Sequence, residues 1–193
     1  MNKKLIISFD DLWEGNDRWE EFEKLHQEFP DLKITFFVIT GRCSDEFLRK
    51  VNQSWTELVF HGTEHSGGWL HWSKEETIKH LRNFNENYGF VKGFKAPGWK
   101  LTPNIIEACR ELNFWICSTP TIPVPVRHWY TYPQEGLRFY SDYVEFYDHI
   151  QHRHYDGQKW IEDENVFLEN LEKLKEYCRS NKPDYKFISE MVK

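Results

Sequence analysis

Two short stretches of this chain carry residue types that do chemistry. The first is Leu5-Ile6-Ile7-Ser8-Phe9-Asp10-Asp11, an apolar run ending in two adjacent carboxylates. The second is His61-Gly62-Thr63-Glu64-His65, with two imidazoles four residues apart. In a helical turn that spacing sets both rings on one side, where they can share an ion. A carboxylate from another strand end would complete a two-His, one-carboxylate set, and Asp11 is the natural candidate. Such a set suits Zn²⁺, and an open position for water suits catalysis; non-haem Fe(II) takes the same three groups. Each stretch alone also has a plain structural reading, as a turn-opening acid pair or a surface His pair. Their placement at the ends of two separate strands favours a site.

The β-branched and aromatic residues of 5–9 predict a buried strand that delivers both acids to its C-terminal end, where ligands collect in α/β folds. A helix capped by Asn16 or Asp17 runs to about residue 28, with Trp19, Phe22 and Leu25 on one face. Further strands are expected at 32–39, 57–60, 91–95, 114–117, 137–140 and 143–147, and a closing strand at 186–189. A short helix is expected at 44–51. Ser73-Lys74-Glu75-Glu76 is a capping box for a helix that Gly89 stops, and Thr102-Pro103 opens another. The longest helix carries Val166, Phe167, Leu171, Leu174 and Cys178. Residues 119–136 hold Pro120, Pro123, Pro125 and Pro133 and read as a long loop, a lid or substrate wall. About seven strand–helix alternations predict an α/β fold with a mostly parallel sheet, closed as a barrel more than left open. Residues 1–193 read as one domain, the size a single core supports.

The net charge of −6 and the absence of a Lys/Arg cluster argue against a nucleic-acid partner. No apolar run is long enough to cross a membrane or to serve as a signal peptide, so a cytoplasmic protein is expected. Cys43, Cys109, Cys117 and Cys178 lack paired spacing and read as free thiols. Nine Trp and 17% aromatic residues suggest that some rings line a groove, since aromatic faces suit sugar rings.

The ordered set of motifs resembles the metal-dependent polysaccharide deacetylases with a NodB-type domain, also grouped as carbohydrate esterase family 4. Ser8-Phe9-Asp10-Asp11 is similar to that family's Thr-Phe-Asp-Asp-Gly signature, and Ile34-Thr35-Phe36-Phe37-Val38 to its next strand. His61-Gly62-Thr63-Glu64-His65 resembles its His-x-x-x-His motif, and Phe94-Lys95-Ala96-Pro97-Gly98-Trp99 its Arg-x-Pro motif. The matches fall in the family's order across residues 5–118. The resemblance implies a distorted (β/α)7-type barrel, one divalent metal held by Asp11, His61 and His65, and Asp10 as general base. The metal expected is zinc, with cobalt, nickel or iron as alternatives.

The family draws its general acid from a late His. His149 follows a strand-like run and is preferred over His152, while His154 is expected to face solvent. Lys95 stands where the family has the Arg that orients the base; Lys keeps the charge without the bidentate fork, which predicts looser orientation. Leu12 and Trp13 replace the Gly after the acid pair, so a ring can reach the site. Gly62 removes a loop-bracing hydroxyl, for which Thr63 is the candidate replacement. No clear Asp-x-Trp motif is found, and Asp142 is the nearest match. Trp13, Trp69, Trp72 and Trp99 are expected in rim loops; the predicted substrate contacts are Trp13, Trp69, Pro97 and Trp99. The implied activity is removal of N-acetyl groups from an acetylated sugar or glycan. Hydrolysis of another, cyclic amide and non-catalytic carbohydrate binding on the same fold are the alternatives.

Overall fold

The computed structural model describes the backbone of residues 3–155 and 160–192. Side chains of 153–155, 160 and 164, and with them the expectation for His154, lie outside what is described. The chain runs β1 (Lys4–Leu12), α1 (Trp19–Glu28), β2 (Ile34–Val38), α2 (Asp45–Val51), β3 (Thr56–Phe60) and α3 (Lys74–Tyr88). It continues through β4 (Gly93–Lys95), α4 (Pro103–Leu112), β5 (Trp115–Ser118), β6 (His128–Tyr130), β7 (Gly136–Phe139) and β8 (Tyr143–His149). The hairpin of β9 (Arg153–Tyr155) and β10 (Trp160–Glu162) leads to α5 (Glu164–Asn181) and β11 (Asp184–Lys186).

The main sheet has the order β6-β5-β4-β3-β2-β1-β8-β7, and β11 lies beside the first half of β1. Pairing is parallel throughout except between β7 and β8. The sheet curls into a distorted (β/α)7-type barrel. At the seam between β6 and the β7–β8 pair side chains reach across: Trp129 Nε1 donates to Glu145 Oε1 of β8 at 3.1 Å and Arg138 Nη1 of β7 to Thr131 Oγ1 at 3.4 Å.

Strand alternation sorts the core into two layers. Leu5, Ile7 and Phe9 of β1 face the helices, where Phe9 meets Phe22, Phe36, Phe146 and Phe167 at ring separations of 4.8–6.0 Å. Ile6 faces the barrel interior with Phe37, Val59, Trp115, Cys117, Trp129 and Ile188. Most of the Trp content therefore goes into packing: Trp19, Trp55, Trp69, Trp115 and Trp129 are all buried.

The capping box at Ser73, the Gly89 stop and the Thr102 cap form as the residue types require. Three local expectations change. The N-cap of α1 is Arg18, in left-handed backbone, not Asn16 or Asp17. The proline-rich segment contains β6, because Ile116 to Ser118 offer a free parallel edge that residues 128–130 complete. The closing strand lies at 184–186, and Ile188–Glu190 is a 3-10 turn. Asp142 is an exposed residue between β7 and β8, at the end of β8 opposite His149. No helix among the described residues is long and apolar enough to cross a membrane.

Candidate active site

Parallel pairing brings the C-terminal ends of β1, β3, β4 and β8 to one rim. Antiparallel β7 places its first residue there too, since Gly136 pairs with Tyr147. The acid pair sits on an irregularity. In a regular strand Asp10 and Asp11 would point to opposite faces. Register between β1 and β2 shifts between Phe9 and Leu12, and Asp11 adopts φ 64°. A short acid is among the few residue types that tolerate left-handed backbone, and the bulge brings both carboxylates to the rim. Asn16 Nδ2 donates to the Asp11 carbonyl at 3.1 Å and fixes the turn.

Asp11 Oδ1 lies 3.5 Å from both His61 Nε2 and His65 Nε2, and the donor atoms of all three lie within 4.8 Å of one another. No helical turn joins the two imidazoles. His61 directly follows β3, and Gly62 at φ 80° turns the chain out so that His65 returns over the rim. Thr40, not Thr63, braces this loop, donating from its backbone N (3.1 Å) and Oγ1 (3.3 Å) to the Gly62 carbonyl. Glu64 folds back on its own loop, accepting from Ser66 Oγ at 2.6 Å and Gly68 N at 2.9 Å.

The donor set fits a divalent ion. His61 Nδ1 is 2.9 Å from the Lys95 carbonyl, which fixes its N–H there and leaves the Nε2 lone pair toward Asp11. Asp11 Oδ1 is buried without a hydrogen-bond partner, an arrangement that disfavours a carboxylate unless a cation takes that oxygen. Burial opposes the Asp11 charge, but His61, His65 and His149 outweigh it and hold the carboxyl well below its ordinary range.

Asp10 sits deeper. Lys95 Nζ lies 2.7 Å from its Oδ1 and 2.6 Å from its Oδ2, and Tyr147 Oη donates to Oδ2 at 2.8 Å. Burial would raise this carboxyl; Lys95 chiefly, with the histidines, lowers it. The expected looseness of a Lys is not found. Phe37, Trp99 and Tyr147 surround the ammonium at 4.5, 4.0 and 4.3 Å, so packing supplies the aim that a guanidinium fork would give.

His149 Nε2 lies 3.8 Å from Asp10 Oδ2 and 3.3 Å from Tyr147 Oη, while its Nδ1 meets Glu135 Oε1 at 2.8 Å. Burial lowers the His149 pKa, but the Glu135 bond and the Asp10 and Asp11 charges outweigh it and raise it. His152, the second choice for the acid, faces Glu135 and Asp148 instead. A cavity of about 780 Å³ opens beside these groups, lined by Asp11, Trp13, Arg42, His65, Glu135 and His149 among others.

Of the predicted substrate contacts, only Trp13 lines that cavity. Its ring lies over Gly15, where a Cβ would come within 2.2 Å of it, and Arg42 stacks on it at 4.9 Å. Trp69 is corrected to a core residue, 4% exposed, with Nε1 donating to the Lys100 carbonyl at 3.2 Å. Pro97 is buried against the Gly62 turn, and Trp99 covers Lys95. Trp72 stacks on His80 at 4.4 Å. No sequence motif marks Glu135 or Tyr147. Tyr147 shares an inward face with His149 two residues on, a signal that was available; Glu135 depends on the antiparallel β7, which the sequence does not announce.

The backbone matches solved structures across nearly its whole length. A family 4 acetyl xylan esterase from Clostridium thermocellum, in complex with a cobalt ion, superposes with TM-score 0.61 at 15% identity, over 97% of this chain and 89% of that one. The chitin deacetylase of Colletotrichum lindemuthianum gives 0.62 at 13% identity, over 98% and 87%. This chain has the fold of the family 4 carbohydrate esterases. That fold is also found in a family 4 pseudoenzyme from Bacillus anthracis, at TM-score 0.62 and 14% identity, over 98% of this chain and 65% of that one. No family model matches the sequence, and no curated protein matches it significantly.

Proposed function

We propose that this protein is a metal-dependent deacetylase that hydrolyses the N-acetyl group of an acetylated sugar or glycan. The observation that carries the reading is the pairing of a buried, ionised Asp10 with a Glu135-bound His149 beside the Asp11–His61–His65 cluster. Asp11, His61 and His65 would hold the ion, zinc by chemistry of the donors, with cobalt, nickel or iron as alternatives. When bound, such an ion polarises the acyl carbonyl and makes water acidic enough to ionise near neutral pH.

The chain's own groups divide the proton work. Asp10, kept ionised by Lys95 and Tyr147, accepts a proton from the attacking water. The new C–O bond forms as the carbonyl π pair moves onto its oxygen; that pair then returns as the C–N bond breaks, and the leaving nitrogen takes a proton from His149 Nε2. Glu135 holds the other ring nitrogen, fixing which proton is offered. The Trp13 face beside the cavity suits the apolar face of a sugar ring. Asp10, Asp11, His61, His65 and His149 all stand on one rim, which favours an enzyme over non-catalytic binding.

The test is metal content and acetate release for wild type, His61→Ala and Asp11→Ala. One divalent ion per chain, lost in both variants together with acetate release from N-acetylated oligosaccharides, is the expected result. A wild type that neither contains nor binds Zn²⁺ or Co²⁺ would overturn it. A metal-loaded protein active only on cyclic amides would replace the substrate class.

A further inference from the structure

Beyond His149 a second carboxylate–imidazole pair continues away from the reacting atoms. β8 alternates, so Tyr147 and His149 face inward and Asp148 faces the other way, 0% exposed. Burial raises the Asp148 carboxyl, and the His152 contact offsets only part of that rise. Among the described residues no Lys or Arg pairs with it. Its Oδ1 accepts from the His149 backbone N at 2.9 Å; His152 Nε2 lies 2.9 Å from the carboxylate as an ion-pair contact without hydrogen-bond alignment, and Oδ2 has no hydrogen-bond partner. His152 is itself 9% exposed, and its carbonyl accepts from the backbone N of Asp163, at the start of α5. Its other nitrogen, Nδ1, is 3.4 Å from Glu135 Oε2.

Glu135 thus meets a different imidazole with each oxygen, His149 through Oε1 and His152 through Oε2. This matters because Glu135 is an exposed residue at the end of a long proline-rich segment. A lone surface Glu samples many rotamers, and a single ion pair at the surface does little to hold it. A second tether anchored on a fully buried acid removes that freedom. The order Asp148–His152–Glu135–His149 alternates acid and base, so the charges sustain one another.

We propose that Asp148 and His152 are positioning residues for proton delivery: together they hold Glu135 against His149, and so aim the His149 proton at the leaving nitrogen. The inference rests on the deacetylase reading. Glu135, Asp148 and His152 also stand close enough to share a cation. Glu135 is bound at the same time to the His149 ring at 2.8 Å, which ties it to the reacting side, and the metal analysis below decides between tether and ion.

The experiment compares metal-loaded wild type with His152→Gln and Asp148→Asn on two substrates. One is an N-acetylated oligosaccharide, whose amine must be protonated to leave. The other is 4-nitrophenyl acetate, whose phenolate leaves without a proton. Expected is a loss of kcat on the amide of roughly 10- to 100-fold with KM unchanged, part of what general acid catalysis supplies, and little change on the ester. Placed in a His149→Ala background, both substitutions become silent.

Equal losses on both substrates, no loss on either, or further loss on top of His149→Ala would overturn the proposal. Thermal unfolding identifies a variant that fails to fold, in which case the other variant decides. Metal analysis runs alongside: a second Zn²⁺ in wild type, absent from His152→Gln, would replace the tether with a cation site. A metal-loaded wild type that cleaves the ester but no amide overturns the deacetylase reading, and this inference with it. Amide cleavage that both variants retain in full overturns this inference alone.

Discussion

The Lys95 ammonium touches both oxygens of Asp10, at 2.7 and 2.6 Å, from inside a cage of Phe37, Trp99 and Tyr147. At 1% exposure the ammonium has no water to fall back on, and Asp10 is nearly as buried. Removing either partner strands a charge in the barrel. Lys95→Met is expected to lower stability by about 3–5 kcal/mol, the usual cost of breaking a buried pair from one side. Asp10→Asn in the same chain should return part of that loss, and urea unfolding of both variants beside wild type checks it. Equal instability of single and double variants would mean that packing, not charge, dominates.

The cage also predicts that Lys95→Arg does not substitute. A guanidinium is planar and larger, and the three rings close on a compact ammonium. Deacetylation by Lys95→Arg should fall at least about tenfold, with overpacking costing roughly 1–3 kcal/mol. Steady-state kinetics beside a thermal melt would show it; wild-type values on both would mean the cage is soft.

Tyr147 grips the other side of Asp10. Tyr147→Phe deletes one hydrogen bond to a charged oxygen and little volume, a loss of about 1.5–3 kcal/mol. If that bond aims the base, kcat drops roughly 10- to 100-fold while metal affinity stays at the wild-type value. Isothermal titration with Zn²⁺ separates the two. A fall in affinity instead would assign Tyr147 to the metal cluster.

What the sequence discloses depends on how local the cause is. The Ser73 and Thr102 caps and the buried strands are written in runs of a few residues and form where the residue types put them; the acid and His pairs are as local, but a bulge aims the one and a loop, not a helical turn, the other. The bulge at Asp11 is not written there, because a register shift is a property of two strands. Glu135 reaches the rim only because β7 runs antiparallel, a consequence of sheet order. The three-residue strand β6 is invisible among prolines until β5 offers it an edge. Trp69 shows the opposite error: an aromatic near a motif suggests a binding wall, whereas burial makes it core, while the half-buried Trp99 covers Lys95.

Gly62 links fold to metal without being a ligand. Its φ of 80° lets the chain leave β3 toward His65, and an added Cβ would sit 3.2 Å from Pro97 Cγ. Gly62→Ala therefore meets both left-handed strain, about 1–2 kcal/mol, and a neighbour that must give way. The protein should still fold, with Zn²⁺ affinity lowered by roughly tenfold or more because His65 is displaced. Unchanged affinity would show that the 62–65 loop adapts freely.

Far below the rim, Glu57 supplies a pH signature of the barrel itself. It is 3% exposed; its Oε1 accepts from Thr35 Oγ1 at 2.9 Å and Ser189 N at 3.3 Å, and its Oε2 has no hydrogen-bond partner. Burial raises its pKa against the pull of those donors. Between the ordinary Glu value and the raised one, the folded chain keeps a proton that the unfolded chain has released. Stability therefore falls as pH rises through that window and stays lower above it. Glu57→Gln keeps the acceptor and removes the charge, so it should be the more stable protein at neutral pH, by on the order of 1 kcal/mol. At about pH 4, where the unfolded-state carboxyl is itself protonated, the difference should vanish. Glu145 and Asp148 are raised in the same direction, so the quantity to measure is the wild-type-minus-variant difference across pH, by thermal unfolding. A pH-independent difference would mean that folding does not shift the Glu57 pKa, and that packing alone separates the two proteins.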